Sequence, residues 1–202
     1  MNQEIPFKPL QYFPRSYVRG ADFWKFALSV LIKEDDQTEK GLDIRFPRFT
    51  VHQGKFVKIP ALGKKQDTPA IVIITSNDKK EFYLYEETKH QAKKSKDDPE
   101  ASFINTEKIN DMSGTLNEVP SLGLTDSIIY LIKILHQKSL GNESKWIFTR
   151  FQSQNISFLC ELLKENRSVD IKASILSSRS NTTVSQIQVS GTSIGEIYFA
   201  RI

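Results

Sequence analysis

The residues best suited to chemistry sit in the first half of the chain and combine flat rings with cations. Tyr12, Phe13, Arg15, Tyr17 and Arg19 follow one another in a segment punctuated by Pro6, Pro9 and Pro14. Those prolines suppress helix and favour extended backbone. Arg45, Arg48, Lys55, Lys58, Lys64 and Lys65 come next, and Tyr83 and Tyr85 lie further on. Cations follow phosphates, and rings stack on bases for about 1–3 kcal/mol per base. An antiparallel sheet with aromatic side chains on its open face is a common platform for single strands. A plainer reading stands beside this one. Phe46, Phe49 and Phe56 suit a core, Tyr83 and Tyr85 can be covered by a helix, and scattered lysines often serve only solvation.

Two weaker constellations follow. Asp78 and Glu87-Thr88-Lys89 fall in a strand–turn–strand setting, where two carboxylates and a lysine can hold Mg²⁺ and orient a water for phosphodiester hydrolysis. Asp78 also belongs to Asn77-Asp78-Lys79-Lys80, where an aspartate serves the turn backbone. Cys160 and His136 supply a nucleophile and a base by residue type. Cys160, however, falls on an apolar stripe with Ile156, Leu159 and Leu163, which reads as a buried structural thiol. His136 falls near a helix C-terminus, where a histidine complements the dipole.

Other chemistry is excluded by what the chain lacks. It has no G-x-x-x-x-G-K-[ST], G-x-G-x-x-G, H-E-x-x-H or G-x-S-x-G pattern, which removes most of the case for nucleotide hydrolysis, dinucleotide redox chemistry and the commonest hydrolases. One cysteine excludes a disulfide framework and a multi-cysteine zinc site, and three histidines leave little for a metal. No cofactor is expected.

The elements that must position these residues read as follows. Phe26, Leu28, Val30 and Ile32 alternate within Asp22–Glu34, and the short length and acidic stop favour a strand over a helix there. Leu42, Ile44 and Phe46 alternate as a half-buried strand. His52-Gln53-Gly54-Lys55 reads as a hairpin returning through Phe56–Ile59. Ala70–Thr75 reads as a buried strand, and Glu81–Glu87 as the strand that returns. Lys89–Pro120 has almost no periodicity and reads as a mobile, charged loop. Thr125 caps a helix whose stripe is Ile128, Leu131, Ile132 and Leu135, with Asp126 complementing its dipole. Ser153 caps a second helix. Val169 to Phe199 reads as a second meander.

The chain's 202 residues, 39% apolar and 26% charged with a formal net charge of +4, form a globular chain of one ordinary domain. The longest apolar run, Ala70–Ile74, is far short of a membrane helix. Phe26–Ile32 has acidic and basic flanks and no cleavage site, which points to an intracellular, cytoplasmic protein. The expected fold is α+β: N-terminal and C-terminal antiparallel β-meanders packed with two amphipathic helices. An extended arm over residues 1–20 precedes a single domain over 21–202, with the mobile loop near 89–120. Two sheet blocks and two helices would suit a pseudo-repeated unit. The expected function is non-enzymatic binding of single-stranded DNA or RNA through the arm and the first meander. The alternative is a protein-interaction or assembly subunit, or a homo-oligomer, docking through the arm. A metal-dependent nuclease is third.

Overall fold

The computed structural model describes residues 4–12, 18–33, 40–63, 67–77, 79–95, 107–120, 123–141, 145–165 and 167–202. In chain order the first half contains β1 (Glu4–Phe7), β2 (Leu10–Tyr12), α1 (Gly20–Lys33), β3 (Lys40–Arg45), β4 (His52–Ile59), β5 (Ile71–Ser76), β6 (Lys79–Gln91) and β7 (Lys93–Ser95). The second half contains β8 (Glu107–Asn110), β9 (Ser113–Pro120), α2 (Leu124–Leu140), β10 (Trp146–Ser153), α3 (Ser157–Glu165), β11 (Ser168–Arg179), β12 (Thr182–Val189) and β13 (Thr192–Arg201).

Eleven of these strands form one antiparallel sheet, in the order β1-β4-β6-β5-β3-β10-β13-β12-β11-β9-β8. The expected pair of separate meanders is therefore corrected to one continuous sheet with three helices. The halves are fused where β3 meets β10, with Ile44 opposite Phe151 and Leu42 opposite Ser153. Each half is a small sheet backed by one long helix. α1 stacks Phe26 on Phe56 at 5.0 Å and sets Phe23 edge-on to Tyr85 at 4.9 Å. α2 packs His136 against Trp146 and Phe199 of the second half.

Further corrections follow from the helical period. The segment read as a strand over Asp22–Glu34 is α1, because Phe23, Trp24, Ala27 and Leu28 are buried together. That spacing is a helical face, not a strand face. His52–Lys55 is not a hairpin but the start of β4, which pairs along its length with β6. The supposed arm folds into its own molecule: β1 pairs with β4, Ile5 and Phe7 pack on the core, and β2 pairs in parallel with β7. The region expected as a loop contributes the end of β6 and β7, β8 and β9. α2 has Gly123, not Thr125, at its N-cap. α3 begins past Ser153, where the Ser157 amide donates to the Asn155 side-chain oxygen at 2.9 Å.

Candidate functional site

Both long helices place an aspartate in their third position. Asp22 stands in Gly20-Ala21-Asp22 at the start of α1, and Asp126 in Leu124-Thr125-Asp126 at the start of α2. A carboxylate in the first helical turn meets the positive end of the helix dipole. Arg19, immediately before α1, joins the two. Its Nη2 donates to Asp22 Oδ1 at 2.7 Å, and its Nη1 lies 3.1 Å from Asp126 Oδ1. Lys25, one turn along α1, pairs with Asp126 Oδ2. Arg19 and Asp126 are each only 3% exposed. The buried Arg19, Asp22 and Asp126 and the part-exposed Lys25 thus form a neutral cluster between the helices, which is how buried charge becomes tolerable. Burial pushes the Asp22 carboxyl above its ordinary range, against the opposing pull of Arg19. The Thr125 hydroxyl beside Asp126 is buried with no partner among the described residues.

Arg19 also lines a narrow groove of about 40 Å³ at the N-terminus of α1. Phe23, Phe46, Phe148 and Ile129 supply its apolar walls, and Arg48 and Lys133 also line it. The rings brace one another, with Phe46 edge-on to Phe148 at 4.8 Å. Gly20 forms part of the lining, and a Cβ there would lie 2.7 Å from the Phe148 ring. The site is therefore an aromatic slot that ends on an arginine tied to two carboxylates.

Of the residues expected to bind nucleic acid, Arg19 and Arg48 share the groove, and the other described cations are each held by a carboxylate. Arg19 is in the buried cluster. Arg45 pairs with Asp43 at 2.6 Å, Arg48 with Glu87 at 2.6 Å and Asp67 at 3.0 Å, and Lys55 with Glu4 at 2.6 Å. Lys58 pairs with Glu81. Tyr83 and Tyr85 are 4% and 2% exposed, and their hydroxyls donate to Glu81 and to the His52 carbonyl. Neither ring presents a face for stacking. Tyr12 closes β2, and nothing is described of its side chain. Phe13, Arg15, Tyr17, Lys64 and Lys65 lie outside the described residues.

The nuclease set fares similarly. Asp78 lies outside the described residues, while Glu87 is held by Arg48 and Thr50. Those bonds pull the Glu87 carboxyl below its ordinary range, Arg48 most strongly. Among the described residues no three His, Cys, Asp or Glu side chains converge as a metal site. Cys160 is only half-buried against the core; Leu159 and Leu162 take the buried positions on α3. His136 lies on α2, far along the chain from Cys160, and its Nε2 is 3.0 Å from Thr183 Oγ1. Among the described residues no helix is long and apolar enough to cross a membrane. The Asp22–Asp126 pair was missed. Its one signal in the sequence was an acid at the same step of two helices, and one of those helices was read as a strand.

No protein-family model and no curated protein matches the chain. Solved structures do match over nearly its whole length. A tesB protein of Mycobacterium avium subsp. paratuberculosis is similar with a TM-score of 0.56 at 10% identity, covering 98% of this chain and 93% of that one. A conserved protein of unknown function with a hot dog fold, from Alicyclobacillus acidocaldarius, gives 0.52 at 8% identity, covering 100% and 93%. The dehydratase domain from the CurJ module of the curacin polyketide synthase gives 0.52 at 12% identity, covering 99% and 91%. These neighbours, with the paired cations and buried tyrosines, overturn the nucleic-acid reading. The chain has the hot-dog fold, with one helix-backed sheet in each half.

Proposed function

We propose that the protein binds and processes an acyl thioester in the groove at the start of α1. The observation that carries this is Arg19, which lines an aromatic groove and contacts a buried carboxylate from each long helix. Support also comes from fold neighbours described as a tesB protein and as a polyketide synthase dehydratase domain.

The groove's walls suit the apolar part of such a ligand, which enters only as the walls part, since the groove holds about 40 Å³. Phe23, Phe46 and Phe148 offer apolar surface to an acyl chain, and burying each methylene there yields about 0.8 kcal/mol. Asp126 lies behind Arg19 and outside the groove's lining; we assign it the role of base, which a carboxylate fills once it comes within reach of the water's proton. Arg19 and Lys25 fix its orientation. The Thr125 hydroxyl, next to it in the sequence, is buried with no hydrogen-bond partner among the described residues. The leaving thiolate takes up the proton that Asp126 received from the water, so the step balances with Asp22 remaining the ionic partner of Arg19.

The test is thiol release from acyl-coenzyme A substrates of graded chain length. Asp126→Asn should lower kcat by ~100-fold, within the range general-base catalysis contributes, while the circular dichroism spectrum is unchanged. A wild-type protein that releases thiol from no thioester in the series overturns the reading.

A further inference from the structure

We infer that the sheet face turned away from the helices carries a second binding site, for a neutral, hydroxyl-rich ligand of the saccharide class, where the end of β10 lies in a trough between β3 and β13. This site is independent of the thioester reading, because the sheet separates it from α1 and α2.

The trough has two lobes that share Gln152, Ser153 and Gln154. One is a cavity of about 440 Å³ bounded by Gly41, Thr75, Leu62 and Phe82. The other, of about 350 Å³, is bounded by Asn155, Gln186, Ser193 and Gly195. Two glycines make the space. A Cβ on Gly41 would lie 3.2 Å from the Gln154 carbonyl oxygen, and one on Gly195 would collide with that of Gln152. Gly195 also has φ of +143°, a conformation that side-chain-bearing residues rarely adopt. With both positions bare, the end of β10 seats closely and the floor on either side of it stays low.

The lining decides the ligand class. Most charged groups of this face hold one another: Asp43 lies between Arg45 at 2.6 Å and Arg150 at 2.8 Å, and Glu196 accepts from the Tyr198 hydroxyl at 2.8 Å, while Lys80 is exposed at the margin of the larger lobe. An ionic ligand in the centre of the trough would have to break those pairs, and one held by Lys80 alone is the case that glucose 6-phosphate tests. The amides of Gln152, Gln154, Asn155 and Gln186 and the Ser193 hydroxyl also line the trough. They donate and accept without carrying charge, as hydroxyl groups require. Phe82 and Leu62 give one lobe an apolar wall for the C–H face of a ring. A peptide strand is a poorer fit. β10 is already paired on both sides, with β3 and β13, so its backbone has no free edge to extend.

The experiment is a titration of the full-length, ¹⁵N-labelled chain with maltose, cellobiose and chitobiose, each to ~10 mM, enough to load most of a millimolar site. Side-chain amide resonances of glutamine and asparagine are followed. At least one disaccharide should shift those of Gln152, Gln154, Asn155 or Gln186 saturably. Gln152→Ala with Gln186→Ala should weaken that binding by ~10-fold, the loss expected for one or two hydrogen bonds. Should the double variant fail to fold, as its spectrum would show, the near-isosteric Gln152→Glu replaces it with the same expectation. No saturable shift with any of the three overturns the proposal. So does binding that the variants leave intact, or a response to glucose 6-phosphate alone.

Discussion

Arg19 carries a full positive charge into a place that water hardly reaches. Its cost is met because Asp22 and Asp126 arrive from two different helices. Removing one partner of such a cluster leaves the rest buried and uncompensated, typically at ~3–5 kcal/mol. Arg19→Ala should therefore lower the free energy of unfolding by about that much in urea. A loss below ~1 kcal/mol, the scale of an exposed pair, would show that solvent reaches the cluster. His136 makes the opposite case, a titratable group kept neutral. Burial lowers its pKa from 6.5 to about 4. A depressed folded pKa means that the unfolded chain takes up the proton first, so the stability is fully present above pH 6.5 and is lost as the pH falls toward 4. At 1.36 kcal/mol per pH unit the loss approaches roughly 3 kcal/mol. Replacing His136 by leucine should remove that part of the acid sensitivity, read as the change in urea midpoint between neutral pH and about pH 4 relative to wild type. An unchanged difference would mean that His136 is already charged in the fold. Neither role was legible from residue type alone. Arg19 stood among rings and cations in the sequence, and only the turn into α1 directs it inward.

At the level of elements, strongly periodic segments were readable and ambiguous ones were not. The stripe Ile128, Leu131, Ile132 and Leu135 became the buried face of α2 as expected. The three last strands pair consecutively, as their alternation implied. In α1, by contrast, the apolar residues are dense enough to satisfy both periods, and the burial of Trp24 beside Phe23 settles the matter in favour of the helix. That error hid Asp22 as a first-turn residue. Gly54 misled in another way. It resembled a hairpin glycine, but it lies within β4 because the neighbouring strand comes too close for a side chain. A Cβ there would collide with the Glu86 carbonyl and meet the Tyr85 ring at 2.7 Å. Gly54→Ala must push β4 off β6 and should cost ~1–3 kcal/mol, as overpacking does. A variant as stable as wild type in thermal unfolding would show that the strand pair yields freely at this point.

Over the whole molecule the two halves are tied at two levels. The sheet runs unbroken through β3 and β10, and the Arg19 cluster joins α1 to α2. This arrangement was beyond the reach of the sequence. Two sheet blocks and two helices were visible, but the β3–β10 pairing links positions a hundred residues apart, and no local pattern encodes such a partner choice. The coupling has a direct consequence for unfolding. Freeing one half would expose the inner edge of the sheet and strand buried charges in the other, so neither half should melt alone. The chain has one tryptophan in each: Trp24 in α1, stacked on Phe151 of β10 at 4.2 Å, and Trp146 in β10 against His136. Trp24→Phe leaves a reporter in the second half, and Trp146→Phe leaves one in the first. In each variant the urea transition seen by tryptophan fluorescence should coincide with that seen by far-ultraviolet circular dichroism, the test of a single cooperative unit. Fluorescence that leads or lags the circular dichroism in either variant would show that the halves unfold separately, and that the shared strand pair and ion cluster contribute less than the cores they join.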